Sequence, residues 1–340
     1  MENYKIIDEK GSFIIDRAMM KEGLEVDAGS KALEGYKAPY TASLIKALEE
    51  EDYKIFGQGM TSEFSLEEGL NGVVDALAED RVSLGLGLDN GGNLLRAGGA
   101  AGIFTYLPSP GLVSSYGLIK TSRFTRLGLM GEYELVLDAM NIISGKDPMD
   151  PQTLDEKLDF SFKEIDLNNI RAMQAGDLDR DMVEVLGEPE YLEIEDKDKL
   201  ALAYDVISSV DLGSSTAKFD GIRYGYRPDD YENLDEYYSN ARGAFGEEVK
   251  KQILKGYIYS AKGYEREIYD GAMGFLAGLD QDLKNLFKET KIVLGPVDSL
   301  PYLAILTNRP VAALGKLAIM ADYLDDVKLL NFVKTLEEAL

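Results

Sequence analysis

Apolar residues recur at helical spacing in one segment after another, and short apolar runs separate these segments. Leu44, Ile45 and Leu48 lie along one face of a predicted helix. Thr41 precedes this helix as its predicted N-cap, and the apolar run 53–56 follows it as a predicted strand. Helices that alternate with short buried strands are typical of a layered α/β domain. The pattern therefore predicts an α/β fold class.

The same patterns predict further elements along the chain. A helix is expected over 132–144, because apolar residues recur there at helical spacing and Gly145 follows as a natural stop. In the predicted strand 82–88, with the sequence VSLGLGL, the two glycines indicate close approach by a helix or a ligand. The remaining strands are predicted at 111–116, 160–165, 191–194 and, as the last, from 291, and the remaining helices at 200–210 and 247–264.

The net charge of the chain limits the kinds of molecule that it is expected to bind. The chain has 36 Lys and Arg against 61 Asp and Glu, a net charge of −25, and it has no basic run that would neutralise phosphates. We therefore predict no direct nucleic-acid binding. No apolar stretch approaches the roughly 20 residues that span a bilayer, and the first residues do not resemble a signal peptide. A soluble, cytoplasmic protein with no membrane contact is expected, as one domain over 1–340 in which 146–200 is an acidic linker and insert region.

His, Cys and Trp are all absent from the sequence. This absence excludes Ser-His-Asp catalysis, thiol nucleophiles, disulfides and the usual zinc and haem ligand sets. The acidic segment 147–198 has no calcium-loop spacing and is interpreted as a solvated surface. We therefore predict no metal and no cofactor, and any catalysis must use carboxylates, Lys, Tyr, Ser or Thr.

Residues 85–99, GLGLDNGGNLLRAGG, carry the most informative motif in the chain. A glycine pair at the end of a strand lets consecutive backbone N–H groups turn toward one point, which is how an oxyanion or a phosphate is held. The residue after Gly91 and Gly92 is Asn93, where nucleophilic chemistry would need a hydroxyl. The motif therefore indicates a cradle without a nucleophile.

Several stretches, read together, resemble the amidase signature family, and within it the A subunits of glutamine-dependent aspartyl/glutamyl-tRNA amidotransferases. They are GSKALEGYKAPYTASLIKALEEEDYKIFGQGMTSEF, LGLGLDNGGNLLRAGGAAGIF with SPGLVSSYGL, SSTAKFDGIRYGYR, and FGEEVKKQILKGYIYSAKGYERE. Their order and approximate spacing also agree with the family. The resemblance implies a central mixed, mostly parallel β-sheet covered by helices on both faces, here trimmed at the N-terminus and in the C-terminal region.

Enzymes of this family use a nucleophilic serine, a bridging serine and a lysine that must be neutral to accept a proton. Transferred onto this chain, the nucleophile position falls on Asn93, the bridging serine on Gly69 and the lysine on Asp16. An amide has no ionisable proton and cannot form an acyl intermediate, and glycine offers no hydroxyl. The resemblance therefore implies that all three members of the triad are replaced.

Two routes to retained activity stay open. One is rescue by neighbouring side chains, namely Lys10 or Lys21 near the first position and Ser62 or Ser65 near the second. The other is a carboxylate mechanism in which Asp16 and Asp89 divide the acid and base roles. We regard rescue as the weaker hypothesis, because catalytic groups need placement within about 0.5 Å.

Binding residues are also implied by the resemblance. Asn90, Gly91 and Gly92 correspond to the family's oxyanion hole, so they form either a residual carbonyl or carboxylate site or only a turn whose geometry needs glycine. We favour the turn. Arg223 lies in a segment associated with glutamine binding, and a guanidinium suits an α-carboxylate. A structural ion pair with Asp220 is an equal alternative.

The sequence-based hypothesis is a catalytically inactive relative of the amidotransferase A subunit with a binding or scaffolding role. The resemblance implies B and C subunit-like proteins as partners, and a small amide or amino acid as a ligand. The alternative is an active or divergent amidase, or an amidotransferase subunit that hydrolyses the glutamine amide. A third hypothesis is a small-molecule sensor that uses the glutamine pocket.

Overall fold

The computed structural model describes residues 3–167, 170–172, 180–187, 190–191 and 197–340. Its strands form one eleven-stranded sheet in the order β1-β3-β2-β4-β6-β5-β10-β11-β9-β7-β8. The strands are β1 Tyr4–Ile6, β2 Phe13–Asp16, β3 Ile55–Gly59, β4 Leu84–Asp89, β5 Thr105–Leu107, β6 Arg126–Gly131, β7 Ile170–Ala172, β8 Glu190–Tyr191, β9 Ile292–Pro296, β10 Val311–Leu314 and β11 Leu317–Met320.

The helices of the described residues cover this sheet. They are α1 Ser43–Glu50, α2 Gly72–Ala78, α3 Asn93–Ala100, α4 Tyr133–Ile143, α5 Arg180–Leu186, α6 Lys197–Thr216, α7 Leu234–Gly243, α8 Glu247–Ser260, α9 Tyr264–Leu286, α10 Leu300–Leu306 and α11 Asp326–Ala339. Two short 3₁₀ helices stand at Lys31–Leu33 and Glu63–Ser65. None of the helices in the described part of the chain combines the length and the apolarity needed to cross a membrane.

The sheet is mixed, as predicted, but it is not mostly parallel. Of the strand pairs among the described residues, β2–β3, β2–β4, β7–β8 and β7–β9 are parallel and the other six are antiparallel. Short connections produce antiparallel neighbours, because a parallel pair needs a crossover of a dozen or more residues. Strands β10 and β11 are such a hairpin, closed by Gly315 at a φ of +58°.

Both faces of the sheet are covered by helices, as predicted. Alternation along a strand sends successive side chains to opposite faces. In β2, Phe13 and Ile15 pack in the cluster with α1, α4 and α11, and Ile14 packs in the cluster with α2, α3 and α10. The two clusters therefore form two hydrophobic layers, one on each side of the central strands.

The glycines of β4 mark close helix approach, which confirms one of the two interpretations of VSLGLGL. A Cβ added to Gly85 would lie 2.6 Å from Val73 Cγ1 of α2, and one added to Gly87 would lie 3.0 Å from Leu94 Cδ1 of α3. Contacts below 3.0 Å require the neighbour to move. Helices α2 and α3 therefore pack directly on the backbone of β4.

Local patterning predicted several elements well. Helix α1 buries Leu44, Ile45 and Leu48 as expected, but its N-cap is Ala42, and Thr41 Oγ1 instead accepts a hydrogen bond of 3.2 Å from Glu22 N. Helix α4 and strands β4 and β9 also lie where the periodicity places them, within about two residues, whereas β3 begins two and ends three residues later than the predicted run 53–56. The helix predicted over 247–264 begins as expected but ends at Ser260, and α9 begins at Tyr264 after Gly263, which has a φ of +129°.

Two of the predicted strands are wrong. Residues 111–116 form irregular turns, and 160–165 run outside the sheet along α11, where Asn331 and Thr335 side chains accept hydrogen bonds from Lys163 N and Ile165 N. Side chains of α11 thus satisfy backbone groups that a strand would satisfy in a ladder. Of the predicted strand 191–194, only Tyr191 lies within the described residues, in β8. The strand from 291 is not the last, because β10 and β11 follow it.

A substitution at Gly98 tests the packing of α3 on β5. A Cβ there would lie 1.9 Å from Thr105 Oγ1 and 2.8 Å from Met130 Cε, so we expect Gly98→Ala to lower the free energy of unfolding by about 2 kcal/mol. Gly271→Ala in α9 is the control, since a Cβ there meets nothing within 4 Å and alanine favours helix by about 1 kcal/mol. Urea denaturation of both variants measures the difference, and equal effects would contradict this packing.

Candidate functional site

The turn between β4 and α3 forms the glycine cradle that the sequence indicates. Gly91 and Gly92 have φ values of +68° and +87°, a region that side chains with a Cβ rarely adopt. The fully buried Asp89 carboxylate accepts hydrogen bonds from Gly92 N at 2.7 Å and from Leu94 N at 2.8 Å. Burial raises the pKa of Asp89, and these two bonds oppose that rise. The Asp89 carboxylate therefore occupies the N–H group of Gly92, one of the donors that the cradle could otherwise offer to a ligand.

Side chains from α6 and α10 cover the cradle. A Cβ on Gly91 would lie 3.0 Å from the Tyr204 ring, and one on Gly92 would lie 2.8 Å from Pro301 Cβ. The Tyr204 hydroxyl donates to Asn90 Oδ1 at 2.6 Å, and burial raises its pKa well above the usual range. The cover is thus attached to the cradle by a hydrogen bond as well as by packing.

Asn93, at the start of α3, is held at both ends of its amide. Its Nδ2 donates to Ser65 O at 2.9 Å, and its Oδ1 accepts from Arg96 Nη2 at 2.5 Å. Arg96 in turn pairs with Glu68 at 2.7 Å. The side chain at the nucleophile position is therefore a structural link between α3 and the loop before α2.

Asp16 lies at the end of β2, beside the end of β4. It is 2% exposed and accepts hydrogen bonds from Ala18 N at 2.7 Å and, more weakly, from Leu88 N at 3.5 Å. Burial raises its pKa from 3.8 to about 6, and the two backbone bonds oppose that rise. The structure therefore places Asp16 next to the strand that leads into the cradle, with both oxygens directed at backbone N–H groups.

Gly69 lies at the rim of this region. It is exposed, has a φ of +116°, and a Cβ added there would meet nothing within 4 Å. Its neighbour Glu68 pairs with Arg96, so the loop is connected to α3. Asp16 and Asn93 are thus buried or half-buried near the cradle, whereas Gly69 faces open space.

Of the four side chains considered for rescue of activity, three have hydrogen-bond or ion-pair partners of their own and one is exposed. Lys21 Nζ pairs with Glu49 at 2.6 Å, and Lys10 is exposed. Ser62 Oγ donates to Glu67 O at 2.7 Å. Ser65 Oγ shares a hydrogen bond of 3.0 Å with Thr61 Oγ1. Among these four residues only Ser65 contacts Asn93, and it does so through its backbone carbonyl.

A cavity of about 100 Å³ adjoins the cradle and is lined mostly by polar side chains of α6 and α8. Asn90, Gly91 and Asn93 form its floor, and Tyr204 and Gln252 belong to its walls. In the part of the chain that the structure describes, no three acidic side chains gather in a group that would hold a metal ion. The cavity therefore offers hydrogen bonding by amides and hydroxyls, together with the two carboxylates of Asp205 and Glu248.

Arg223 does not line this cavity. It is exposed in the loop after α6, and Asp220 Oδ1 accepts a hydrogen bond from Ile222 N at 2.9 Å, while no ion pair joins Asp220 to Arg223 among the described residues. Sequence reasoning missed Tyr204 and Gln252, and it considered Ser65 for its hydroxyl, whereas the Ser65 backbone carbonyl is what holds Asn93. The predicted 200–210 helix contains Tyr204, but periodicity alone does not say that this helix packs over the glycine turn.

Comparison with known proteins places the chain in a family. No protein-family profile matches it. It is 31% identical over 333 residues to the A subunit of glutamyl-tRNA(Gln) amidotransferase from Saccharolobus solfataricus, covering 85% of this chain and 70% of the relative. It is 28% identical over 321 residues to the corresponding protein of Persephonella marina, covering 81% of this chain and 66% of the relative. The chain therefore spans about two thirds of the length of these relatives.

Solved structures show the same fold. A chain from a vestigial protein complex that reveals the origins of an s-triazine catabolic enzyme superposes with a TM-score of 0.78 at 16% identity, covering 98% of this chain and 85% of that one. The A subunit of the Thermotoga maritima glutamyl-tRNA(Gln) amidotransferase gives 0.75 at 19% identity, covering 96% and 83%. A bacterial aryl acylamidase of the amidase signature family gives 0.76 at 13% identity, covering 96% and 82%. This chain belongs to the family of glutamyl-tRNA(Gln) amidotransferase A subunits and has the amidase-signature fold.

Proposed function

We propose that this chain is a catalytically inactive member of its family with a binding or scaffolding role. The observation that carries the proposal is the state of Asn93. Its amide has no proton that it can give up to become a nucleophile, and both of its polar ends are hydrogen-bonded within the protein. A nucleophile must instead be free to approach a substrate carbonyl.

The position of the base supports the same conclusion. A general base must reach the nucleophile or one intervening water at hydrogen-bond distance. Asp16 directs its oxygens at Ala18 N and Leu88 N and is 2% exposed. Lys10 and Lys21 do not replace it, because one is exposed and the other pairs with Glu49.

The cradle supports it as well. An oxyanion hole works by offering N–H groups that are free until charge develops on the substrate. Here Asp89 holds Gly92 N at 2.7 Å, and Tyr204 and Pro301 cover the two glycines. The turn itself needs the two glycines. The cavity of about 100 Å³ beside them has room for a small amide or amino acid, which would bind there as a ligand and not react as a substrate.

Protein partners are the second part of the proposal. The relatives in Saccharolobus and Persephonella are named as the A subunit of an amidotransferase, and one structural neighbour comes from a vestigial protein complex. We propose that this chain acts as a scaffold for B and C subunit-like proteins, in the cytoplasm. Such a role needs the fold and its surface, but not the triad.

One observation favours the alternative of an active, divergent amidase. A carboxyl with a pKa of about 6, as at Asp16, is suited to a general base near neutral pH. Asp89 directly follows Leu88, whose backbone N–H donates to Asp16. Against it, Asp89 is fully buried and holds two backbone N–H groups of the turn.

Ammonia release from glutamine and asparagine decides between the two. We expect the chain, alone and co-expressed with amidotransferase B and C subunits, to release no more ammonia than Asn93→Ala. Asn93→Ser is expected to add nothing, because one hydroxyl without a base stays protonated. Turnover about tenfold or more above Asn93→Ala would overturn the proposal. Turnover that is lost in a folded Asp16→Asn variant would establish the carboxylate mechanism instead.

A further inference from the structure

A second cavity, of about 70 Å³, lies under the irregular segment between β5 and β6, at the start of β6. It shares no lining residue with the cavity at the cradle. Three cationic side chains line it, those of Lys120, Arg123 and Arg126. Such a gathering of positive charge is notable in a chain whose net charge is −25.

Arg126 is held rigidly in this wall. It is 6% exposed, its Nη1 donates to Arg309 O at 2.7 Å, and its Nη2 donates to Leu107 O at 3.2 Å and to Pro108 O. Its Nε is buried and has no hydrogen-bond partner among the described residues. The guanidinium is therefore fixed in place, and its Nε–H is left without an acceptor.

Lys120 contributes the larger unused capacity. In the described part of the chain, no hydrogen bond or ion pair is found for its Nζ. Burial lowers the pKa of Lys120, and the charge of Asp150 partly opposes this. An ammonium group has three N–H donors, and the half-buried Lys120 lines the cavity with these donors available to a ligand.

Two nearby carboxylates are already committed to other donors. Asp150 accepts from Ser115 N at 2.7 Å, Ser115 Oγ at 2.8 Å and Gln152 N at 3.0 Å. Asp211 accepts two bonds of 2.9 Å from the Arg123 guanidinium. These acids therefore compensate charge, but they do not supply acceptors to Lys120 Nζ or Arg126 Nε.

Two buried acids also lie near Arg126, and because Asp89 already holds Gly92 N and Leu94 N, the one left to consider is Asp326. Its Oδ1 accepts from Ser109 N at 2.8 Å and from the Tyr106 hydroxyl, and its Oδ2 has no partner among the described residues. One free acceptor thus stands against the donors of Lys120 and the Nε of Arg126. The wall of the cavity has an excess of donors.

We propose that this cavity binds a small oxyanion, a carboxylate or a phosphate group, held between Lys120 and Arg126. An oxyanion brings the acceptors that the two side chains lack, and charge-assisted bonds of this kind are among the stronger hydrogen bonds in proteins. The volume suffices, because one water needs only about 10–15 Å³ of such space. This site is independent of the glycine cradle and of any amide chemistry there.

Binding by the full chain tests the site, with acetate, phosphate and chloride at matched ionic strength as probes. We expect acetate or phosphate, but not chloride, to raise the melting temperature, because a ligand bound only by the folded state stabilises it. Lys120→Met is expected to weaken the affinity measured by calorimetry about tenfold or more. Lys218→Met is the matched control, since burial also lowers the pKa of Lys218, which lies against Phe219 instead of in the cavity.

Lys120→Gln and chemical labelling keep the proposal testable if Lys120→Met does not fold. We expect the bound anion to protect the Lys120 amine of the unmodified chain from an N-hydroxysuccinimide ester, as read by peptide mass mapping. Acetate and phosphate responses distinguish the two kinds of oxyanion. No response to either, or equal responses in the chain and in both Lys120 variants, would overturn the proposal.

Discussion

Asp89→Ala is expected to lower the free energy of unfolding by about 3 kcal/mol. The substitution removes the acceptor of Gly92 N and Leu94 N, at a position that is fully buried. Each buried N–H left without a partner costs about 1–3 kcal/mol. The charge of Asp89 is itself penalised by burial, and this offsets part of the loss. Urea denaturation at pH 7.5, followed by circular dichroism, measures the effect.

Two further variants serve as references for the stability of Asp89→Ala. Asp89→Asn keeps one carbonyl acceptor and is expected to fall about midway between the parent chain and Asp89→Ala. Asp229→Ala is the control, because Asp229 is exposed and most surface substitutions change stability by less than about 0.5 kcal/mol. If Asp89→Ala cost no more than the control, the carboxylate would not be what holds the cradle.

Asp16→Asn is expected to stabilise the protein above pH 6. Burial raises the pKa of Asp16 from 3.8 to about 6, so the folded protein binds this proton more tightly than the unfolded chain does. The resulting stability is fully present below about pH 4 and is lost as the pH rises through 6. At about 1.4 kcal/mol per unit, the loss approaches 3 kcal/mol. An asparagine avoids it, because it is neutral throughout and its Oδ1 still accepts from Ala18 N.

The difference between variant and parent isolates Asp16 from other buried acids. Asp89 and Asp326, whose pKa values burial also raises, are present in both proteins and cancel. We expect a gain of about 2 kcal/mol at pH 7.5, because the weak contact with Leu88 N is lost, and no gain near pH 4. Urea denaturation at four pH values measures it, with Asp229→Asn as the control. A difference that does not vary with pH would show that Asp16 keeps its usual affinity for the proton.

The spacing of apolar residues predicted the helices and strands correctly wherever an element buries one face in its own layer. Leu44, Ile45 and Leu48 of α1, the leucines of β4 and the apolar face of α4 all lie in the hydrophobic clusters that their spacing predicts. The failures lie where a distant side chain satisfies the backbone. The run 160–165 has a buried Phe160 and extended spacing, yet its N–H groups bond to Asn331 and Thr335, some 170 residues away.

The candidate site also combines features that the local sequence predicted with features that it did not. The motif at 89–93 predicted a glycine turn between a strand and a helix, and the structure has that turn with both glycines at positive φ. Asp16 lies at the end of strand β2, which pairs with β4. Arg96 holds Asn93 from within the same helix, but Ser65 and Tyr204, which contact Asn93 and Asn90, come from other segments, and no sequence pattern predicts these contacts.

The sequence by itself determined the family, the α/β fold class, the glycine turn and the residue types at the three triad positions, because these depend on residue identity and local spacing. Only the tertiary structure decided that Asp89 occupies the N–H of Gly92, that Tyr204 covers the turn, and that Lys120 and Arg126 face a second cavity. Those features depend on which distant segments meet at the end of β4 and the start of β6. Periodicity along the chain carries no information about such meetings, because they are set by the packing of whole layers.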